Sequence, residues 1–282
     1  MSHLWNIPDH APEAIKEMEV QDIEDPMVTR MKNLIFCEDN APQITIDHEL
    51  VEFIETSTRG QRTSEMWQKL HIGRLTSSIF GDVLKAGPNP KSLIKQIVEG
   101  SSLQKYASLP PAVQWGQQNE AKARSEYVNL KTATNNNFKV EDTGLTLCTD
   151  NSFLGASSDG RVFDGDSIGV LEIKCSYSIK GTQVTTMEVS EIVAMGCPNF
   201  CLEYTCSMEG PRLKKSHKFY AQVQGEMAIM RLPWCDFVVW TDAAQNNICI
   251  DRIYFDSEFV SSMMPRLIEF YMHHIIQLQS SR

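Results

Sequence analysis

The sequence lacks the features that would direct it into or through a membrane. Its longest apolar stretches, such as Phe237 to Trp240, are far too short to cross a bilayer. The N-terminus opens with Met-Ser-His-Leu-Trp and soon becomes acidic, which is not the pattern of a signal peptide. We therefore expect a soluble intracellular protein, nuclear or cytoplasmic, with no membrane partner.

Paired cysteines are also missing, because none of the eight cysteines forms a Cys-x-x-Cys pair. Only Cys197, Cys201 and Cys206 are clustered, and together with His217 they could hold zinc. Their spacing matches no common zinc site, so the sequence favours reduced thiols in an intracellular protein over a zinc centre.

Net positive charge is absent as well, since the formal net charge is −10. A protein that coats nucleic acid without specificity needs an excess of lysine and arginine for phosphate contacts, so this class is disfavoured. A metal-dependent nuclease remains compatible, because it needs clustered carboxylates and its bound divalent ions reverse their local field. Much of the acid also lies in the first 60 residues, where it can stay clear of a DNA groove.

The sequence does contain enough apolar residues, 42%, for one large core. Residues 1–45 mix prolines and acids without periodicity and predict a loosely packed arm. Residues 46–282 are predicted to form the folded domain, with an insertion at about 176–210 that could remodel the mouth of a binding channel. Hydrophobic periodicity and turn residues predict helices at 47–55, from 76 to the Gly87 cluster, and at 92–99, 114–130, 215–230 and 258–278. The predicted strands cover 144–149, 154–163, 169–175, 237–241 and 248–255. A strand meander between helices indicates an α/β or α+β domain.

Three ionisable residues are expected to meet on one face of this sheet. Asp159 precedes Glu172 by thirteen residues. The two come side by side if the strands 154–163 and 169–175 pair across the short turn between them. Glu172 and Lys174 are two residues apart in one strand, so they face the same side, while the alternate residues face the core.

Phosphodiester hydrolysis uses this combination of groups. Carboxylate oxygens suit Mg²⁺ or Mn²⁺, which polarise the phosphate and lower the pKa of a bound water. A nearby lysine positions that water or helps to remove its proton, especially where burial lowers the lysine pKa. The same pattern also arises by chance on solvated strands, with Asp159 serving only an Asp-Gly turn, so the motif needs support from elsewhere in the chain.

Two further segments give that support. Trp115 to Arg124 (WGQQNEAKAR) places Glu120 on a helix just before the meander, where it can supply a third carboxylate. His217 to Met227 (HKFYAQVQGEM) places Gln222 beside an apolar helix face, where it can orient a water or a phosphate oxygen. In isolation, Glu120 is equally compatible with a solvated surface and Gln222 with a packing role.

Five ordered blocks together resemble a known group of nucleases. They are WQKLHIGRLTSS (67–78), WGQQNEAKAR, LGASSDG (154–160), GVLEIKC (169–175) and FYAQVQ (219–224). Over roughly residues 66–255 the chain resembles the PD-(D/E)xK nuclease superfamily. More closely it resembles the phage lambda exonuclease family, also called the YqaJ-like viral recombinase or alkaline exonuclease family. The resemblance implies a restriction-endonuclease-like core, in which helices flank a central mixed β-sheet.

The resemblance also implies roles for individual residues. The residues that would bind two Mg²⁺ or Mn²⁺ ions are Glu120, Asp159, Glu172 and, through its main-chain carbonyl, Ile173. Those that would position the attacking water are Lys174 and Gln222.

The first block implies a site for the terminal 5′-phosphate of the digested strand. Arg74 and Ser78 fall where the family grips that phosphate, with Thr76 beside them. One family member has Arg at the position of His71, whereas many relatives have it at the position of Arg74. We therefore predict Arg74 as the clamp, with His71 as its alternative. The competing interpretation is that Thr76, Ser77 and Ser78 only cap a helix and that Arg74 is a solvated surface residue.

Three functions are compatible with these residues. The first is a Mg²⁺-dependent exonuclease that degrades one strand of linear duplex DNA from its 5′ end by two-metal catalysis. The resemblance implies that such an enzyme supplies 3′ overhangs to a strand-annealing protein and acts as a monomer or a ring-shaped trimer. The second is a structure-specific or single-strand endonuclease on the same core. The third is a DNA-binding module with a dead site, which the intact set of five catalytic residues argues against.

Overall fold

The structure, a computed structural model, describes residues 25–35, 45–100, 109–185, 191, 197–203 and 210–277. Its helices are α1 (Pro26–Lys32), α2 (His48–Ser57), α3 (Glu65–His71), α4 (Ser77–Leu84), α5 (Lys91–Glu99), α6 (Pro111–Thr132), α7 (Lys218–Met230) and α8 (Ser257–Tyr271). Its strands are β1 (Leu75–Thr76), β2 (Phe138–Glu141), β3 (Thr146–Leu147), β4 (Leu154–Ala156), β5 (Gly160–Asp164), β6 (Ser167–Cys175), β7 (Leu202–Glu203), β8 (Arg212–Leu213), β9 (Trp234–Trp240) and β10 (Ile248–Tyr254).

A five-stranded sheet in the order β10-β9-β6-β5-β2 forms the centre of the fold. Its middle strand, β6, pairs antiparallel with β5 and parallel with β9. Successive side chains of β6 point to opposite faces, so Leu171 and Ile173 pack with Ala123 and Tyr127 of α6. Val170 packs on the other face with residues of α7. A mixed sheet between helices confirms the predicted α/β core.

The predicted strand over 154–163 is wrong in one respect, because it is two strands in two sheets. β4 pairs with β1 and β3 in a small three-stranded sheet, whereas β5 pairs with β2 and β6. All three residues of β4 are buried, so their sequence shows no alternation that would mark the break. Asp159 therefore lies in the bend between the two sheets and not inside a strand.

Helices α4, α7 and α8 pack against the small sheet around Phe80, Leu154, Met263 and Leu267. The crossing of α4 and α7 is close because glycine lies on each helix. A Cβ atom at Gly225 would lie 2.4 Å from a ring carbon of Phe80.

The predicted boundaries of two helices also shift. α7 begins at Lys218 and not at residue 215, because the His217 ring accepts a hydrogen bond from the main-chain N–H of Phe219. α8 ends at Tyr271 and continues as a π-helical turn over Met272–Ile276, inside the range predicted as one helix.

The first 45 residues are not all loosely packed. Met31 and Leu34, in and after α1, are buried against α2, so the prediction of a loose arm is wrong for residues 25–35. The remaining residues of the predicted arm lie almost entirely outside the described ranges. In the predicted insertion, Ile179, Phe200 and Leu202 are buried in the core beside α7. No helix of the described ranges is both long and apolar enough to cross a membrane.

Candidate active site

The predicted catalytic residues line one cavity of about 1370 Å³. Glu172 and Lys174 come from the face of β6 that packs on α7, and Gln222 comes from α7 itself. Asp159 enters from the bend before β5, and Glu120 from α6. The structure therefore brings together all five residues that the sequence singled out for catalysis.

Glu172 is the centre of the hydrogen-bond network at this site and is only 3% exposed. Its Oε1 accepts hydrogen bonds from Lys174 Nζ at 2.5 Å and from Gln222 Nε2 at 2.7 Å. Its Oε2 is buried and has no hydrogen-bond partner. Because an unpartnered buried carboxylate oxygen is costly, this atom is available to a ligand such as a metal ion.

Asp159 is tied to the same strand by its main chain and its side chain. Its N–H donates to the Leu171 carbonyl at 3.0 Å, and its Oδ2 accepts from the Ile173 N–H at 2.6 Å. This is the predicted pairing across the turn after β5, so the side-by-side placement of Asp159 and Glu172 is confirmed. Burial and the neighbouring Glu172 carboxylate raise the pKa of Asp159 to about 7.

Glu120 adds negative charge to the cavity from the helical side. Burial and the nearby Asp159 carboxylate raise the pKa of Glu120 to about 7. No three His, Cys, Asp or Glu side chains in the described part of the chain converge into a closed metal site. The donor set nevertheless fits a hard divalent cation, because mutually repelling carboxylates share one cavity and Glu172 Oε2 has no partner.

Lys174 is a charged donor in this arrangement. Burial alone would lower the pKa of Lys174, but the Glu172 and Asp159 carboxylates outweigh it and raise that pKa above its ordinary value. Its Nζ also lies 4.5 Å from the centre of the Phe219 ring, a cation–π contact. A lysine pKa lowered by burial, the condition that would favour Lys174 as a base, is therefore not met beside these carboxylates.

Arg74 does not lie free in the cavity as a phosphate clamp requires. It is 5% exposed, and its guanidinium donates to the main-chain carbonyls of Leu34, Leu70 and Ser152 at 2.5 to 3.0 Å. These bonds join three segments of the chain, so the side chain holds the fold together. This arrangement differs from both predictions for Arg74, a phosphate clamp and a solvated surface residue.

The other residues of the predicted clamp are placed unequally. His71 packs against Trp67 with tilted rings whose centres are 3.7 Å apart, and its Nδ1 forms a hydrogen bond with the Trp67 carbonyl. Burial and Arg74 lower the pKa of His71 to about 4, so the ring is neutral and offers no charge to a phosphate. Thr76 and Ser78 both line the cavity, but Thr76 is buried and makes no side-chain capping bond to α4, whereas Ser78 is exposed.

The zinc alternative finds no support among the described residues, which hold no metal cluster of His, Cys, Asp or Glu. Cys201 is buried in the core, and the His217 ring is used at the start of α7. Cys206 lies outside the described residues. The six described cysteines are free thiols.

Two residues near the site escaped the sequence reasoning. Glu226 is fully buried, accepts hydrogen bonds from Gln222 and Ser77, and has a second oxygen with no partner. Its spacing of four residues from Gln222 places both on one helix face, which is a signal that the sequence does contain. Arg62 lines the cavity from a turn ahead of the first motif block, where no pattern pointed to it.

Comparisons with known proteins identify the family and the fold of this chain. The family model of the YqaJ-like viral recombinase domain matches residues 66–233. No curated protein sequence matches the chain. Among solved structures, the alkaline exonuclease LHK-Exo from Laribacter hongkongensis has a TM-score of 0.54 at 22% sequence identity. The match covers 77% of this chain and 95% of LHK-Exo.

A second similar structure is the SOX protein of Kaposi's sarcoma-associated herpesvirus. Its complex with DNA has a TM-score of 0.55 at 12% identity, covering 83% of this chain and 72% of SOX. Its complex with RNA has a TM-score of 0.52 at 13% identity, and this match covers 83% of this chain and 75% of SOX. These likenesses establish a shared fold, and the family match covers more than half of the chain. The chain therefore belongs to the YqaJ-like viral recombinase family of nucleases.

Proposed function

We propose that this nuclease hydrolyses phosphodiester bonds of DNA with Mg²⁺ or Mn²⁺ as its cofactor. The observation that carries the proposal is the convergence of Glu120, Asp159, Glu172 and Lys174 on one cavity. The three carboxylates would hold two ions, together with the main-chain carbonyl of Ile173. When bound, such ions polarise the phosphate and lower the pKa of a bound water.

The neighbouring side chains have separate tasks in this reaction. Both N–H groups of Gln222 are used by Glu172 and Glu226, which leaves its carbonyl oxygen to accept a hydrogen bond from a water in the cavity. The protonated Lys174 donates to a water or to a phosphate oxygen, so it positions the nucleophile and offsets developing negative charge.

We further propose that the enzyme is an exonuclease that digests linear duplex DNA from the 5′ end. The support is the family resemblance, together with the fold shared with LHK-Exo, an alkaline exonuclease, and with SOX, a shutoff and exonuclease protein. A strand-annealing partner, and a monomeric or trimeric state, belong to this same proposal.

A second candidate is cleavage of single-stranded or structured nucleic acid. It is favoured by the fact that SOX has been solved with DNA and also with RNA on the same fold. Loops at the mouth of a shared core change the substrate without changing the catalytic residues.

Incubation with linear and covalently closed circular duplexes in Mg²⁺ distinguishes these functions. The exonuclease consumes only the linear form, whereas an endonuclease also nicks the circle. Labels at either end of one strand report polarity, since a 5′ label is released first by digestion from the 5′ end. Glu172→Gln is the control for contaminating nucleases, and unchanged DNA in all arms would contradict the proposal.

A further inference from the structure

Five lysine and arginine side chains line the catalytic cavity, and four of them are already engaged. The engaged side chains are Lys174 on Glu172, Lys218 on Asp82 at 3.2 Å, Lys95 on Glu99 at 3.8 Å, and Arg74 on three main-chain carbonyls. The fifth is Arg62, whose guanidinium has no ion-pair partner within the described ranges. Arg62 is also exposed, so its charge is available to a molecule that enters the cavity.

The turn that carries Arg62, Gln61–Thr63, is fixed by hydrogen bonds to the bend that contains Asp159. Gln61 Nε2 donates to the carbonyls of Thr143 and Ser158 at 3.0 and 2.8 Å. Gln61 itself has a φ of 45°, which residues other than glycine rarely adopt. Ser158 directly precedes Asp159, so the backbone that holds Arg62 is attached one residue away from a catalytic carboxylate.

The helix that follows this turn, α3, is also attached to the segment before Asp159. Its buried residue Trp67 donates its indole N–H to the Ser157 hydroxyl at 2.9 Å. The positive charge of Arg62 is close enough to lower the pKa of both Glu120 and Asp159, against the opposing effect of burial. The guanidinium thus belongs to the electrostatic environment of the site.

We propose that Arg62 binds a backbone phosphate of the DNA strand beside Glu120 and Asp159. A planar guanidinium with several donors matches the geometry of a phosphate, and it can offset the repulsion between the strand and the carboxylates. Arg62 thus binds a phosphate within the strand, whereas the sequence assigned Arg74 to the terminal 5′-phosphate. It lies ahead of the family match, which begins at residue 66. This inference rests on the proposed function, because it requires nucleic acid in the cavity.

The test measures binding of a linear duplex in Ca²⁺ at several salt concentrations, with Arg62→Gln, Arg62→Lys and Arg59→Gln. Arg59 is the matched control, since it loses the same charge three residues away but is paired with Glu55 at 2.9 Å and does not line the cavity. Each phosphate contact contributes about 0.7 to 0.9 to the slope of log affinity against log salt. Arg62→Gln should make this slope shallower by about that amount, whereas Arg62→Lys and Arg59→Gln should have the slope of wild type.

Cleavage kinetics give a second readout. Arg62→Gln should raise KM, and Arg62→Lys should recover part of the loss because it restores charge without the planar donor set. An unchanged slope for Arg62→Gln, or an equal loss in Arg59→Gln, would overturn the assignment. If wild type cleaves no DNA in Mg²⁺ but the salt slopes of wild type and Arg62→Gln differ as stated, the proposed function fails while the assignment of Arg62 to a phosphate stands. If wild type does not bind DNA, both fail.

Discussion

At the scale of single residues, Lys174 provides a direct test of the catalytic site. Its ammonium group contacts Glu172 and no other carboxylate in the described part of the chain. Replacement of a positioned proton-transfer or water-orienting group costs about 10²–10⁴ in rate, so Lys174→Ala should lose that factor in turnover. Lys95→Ala is the control, because Lys95 lines the same cavity but pairs with Glu99. Near-normal turnover of Lys174→Ala would contradict the site.

Arg74 should affect stability rather than recognition of the DNA end. Its removal leaves three buried carbonyls without a donor, so Arg74→Ala should lower the free energy of unfolding by about 3 kcal/mol or more. Arg266→Ala is the control, since exposed Arg266 makes one bond, to the Leu84 carbonyl at 2.7 Å. Urea denaturation of both variants measures the difference, and a small loss for Arg74→Ala would mean that its bonds contribute little.

Glu226 should make the stability of the metal-free protein depend on pH. Burial and the Glu172 carboxylate raise the pKa of Glu226 well above its ordinary value of 4.5. Above that value the unfolded chain releases a proton that the folded state keeps, so stability falls as pH rises towards the folded pKa. Glu226→Gln removes this loss of stability, and its advantage over wild type should grow as pH rises above about 5, by at most ~1.4 kcal/mol per pH unit.

Urea denaturation in EDTA at a series of pH values above about 5 measures the effect of Glu226→Gln on the free energy of unfolding. Exposed Glu258 serves as the control through Glu258→Gln, which should show no such trend. A difference between Glu226→Gln and wild type that stays constant with pH would show that the carboxyl does not titrate as expected.

The residues of the motif blocks were predictable because their spacing encodes shared faces. Glu172 and Lys174 are two apart in a strand, and that alone places them together. The environment of Arg74 was not predictable, since its partners Leu34 and Ser152 are distant in sequence. The catalytic and phosphate-binding roles stay predictions until the variants are measured.

At the scale of elements, the crossing of α4 and α7 controls the position of Gln222. A Cβ atom at Gly225 would lie 2.4 and 2.5 Å from ring carbons of Phe80, so Gly225→Ala must displace the buried Phe80 ring or move one of the two helices. The expected cost is about 1–3 kcal/mol of stability, with lower turnover because Gln222 lies one turn away. Gly116→Ala in α6 meets no atom within 4 Å and should stabilise by up to about 1 kcal/mol. Melting curves compare the two variants, and equal stability would contradict the tight crossing.

Element types could be predicted from the sequence, but the division of strands between sheets could not. Alternation and helical periodicity located the helices and the strand that carries Glu172. The separation of β4 from β5 depends on pairing with β1, a strand of two residues some eighty positions earlier. Such long-range pairing leaves no local pattern.

At the scale of the whole molecule, the net charge of −10 opposes the approach of DNA. Divalent ions at the carboxylates reverse that field locally, so Ca²⁺ should tighten duplex binding by about tenfold or more relative to EDTA. Ca²⁺ should not support cleavage at a rate comparable with Mg²⁺, because its looser geometry positions water poorly. Anisotropy and gel assays at matched ionic strength test both statements. Equal binding in EDTA and Ca²⁺ would place the metal outside the DNA-binding site.

The parallel ladder between β6 and β9 has a consequence for how the enzyme is made. β9 begins at Trp234, one residue after the family match ends, so a fragment limited to that match lacks the neighbour of its catalytic strand. The unpaired N–H and C=O groups along β6 would then form an open edge that recruits other chains and aggregates. A nascent chain should likewise have no nuclease activity until the residues of β9 have left the ribosome, because β9 completes the pairing of the strand that carries Glu172 and Lys174.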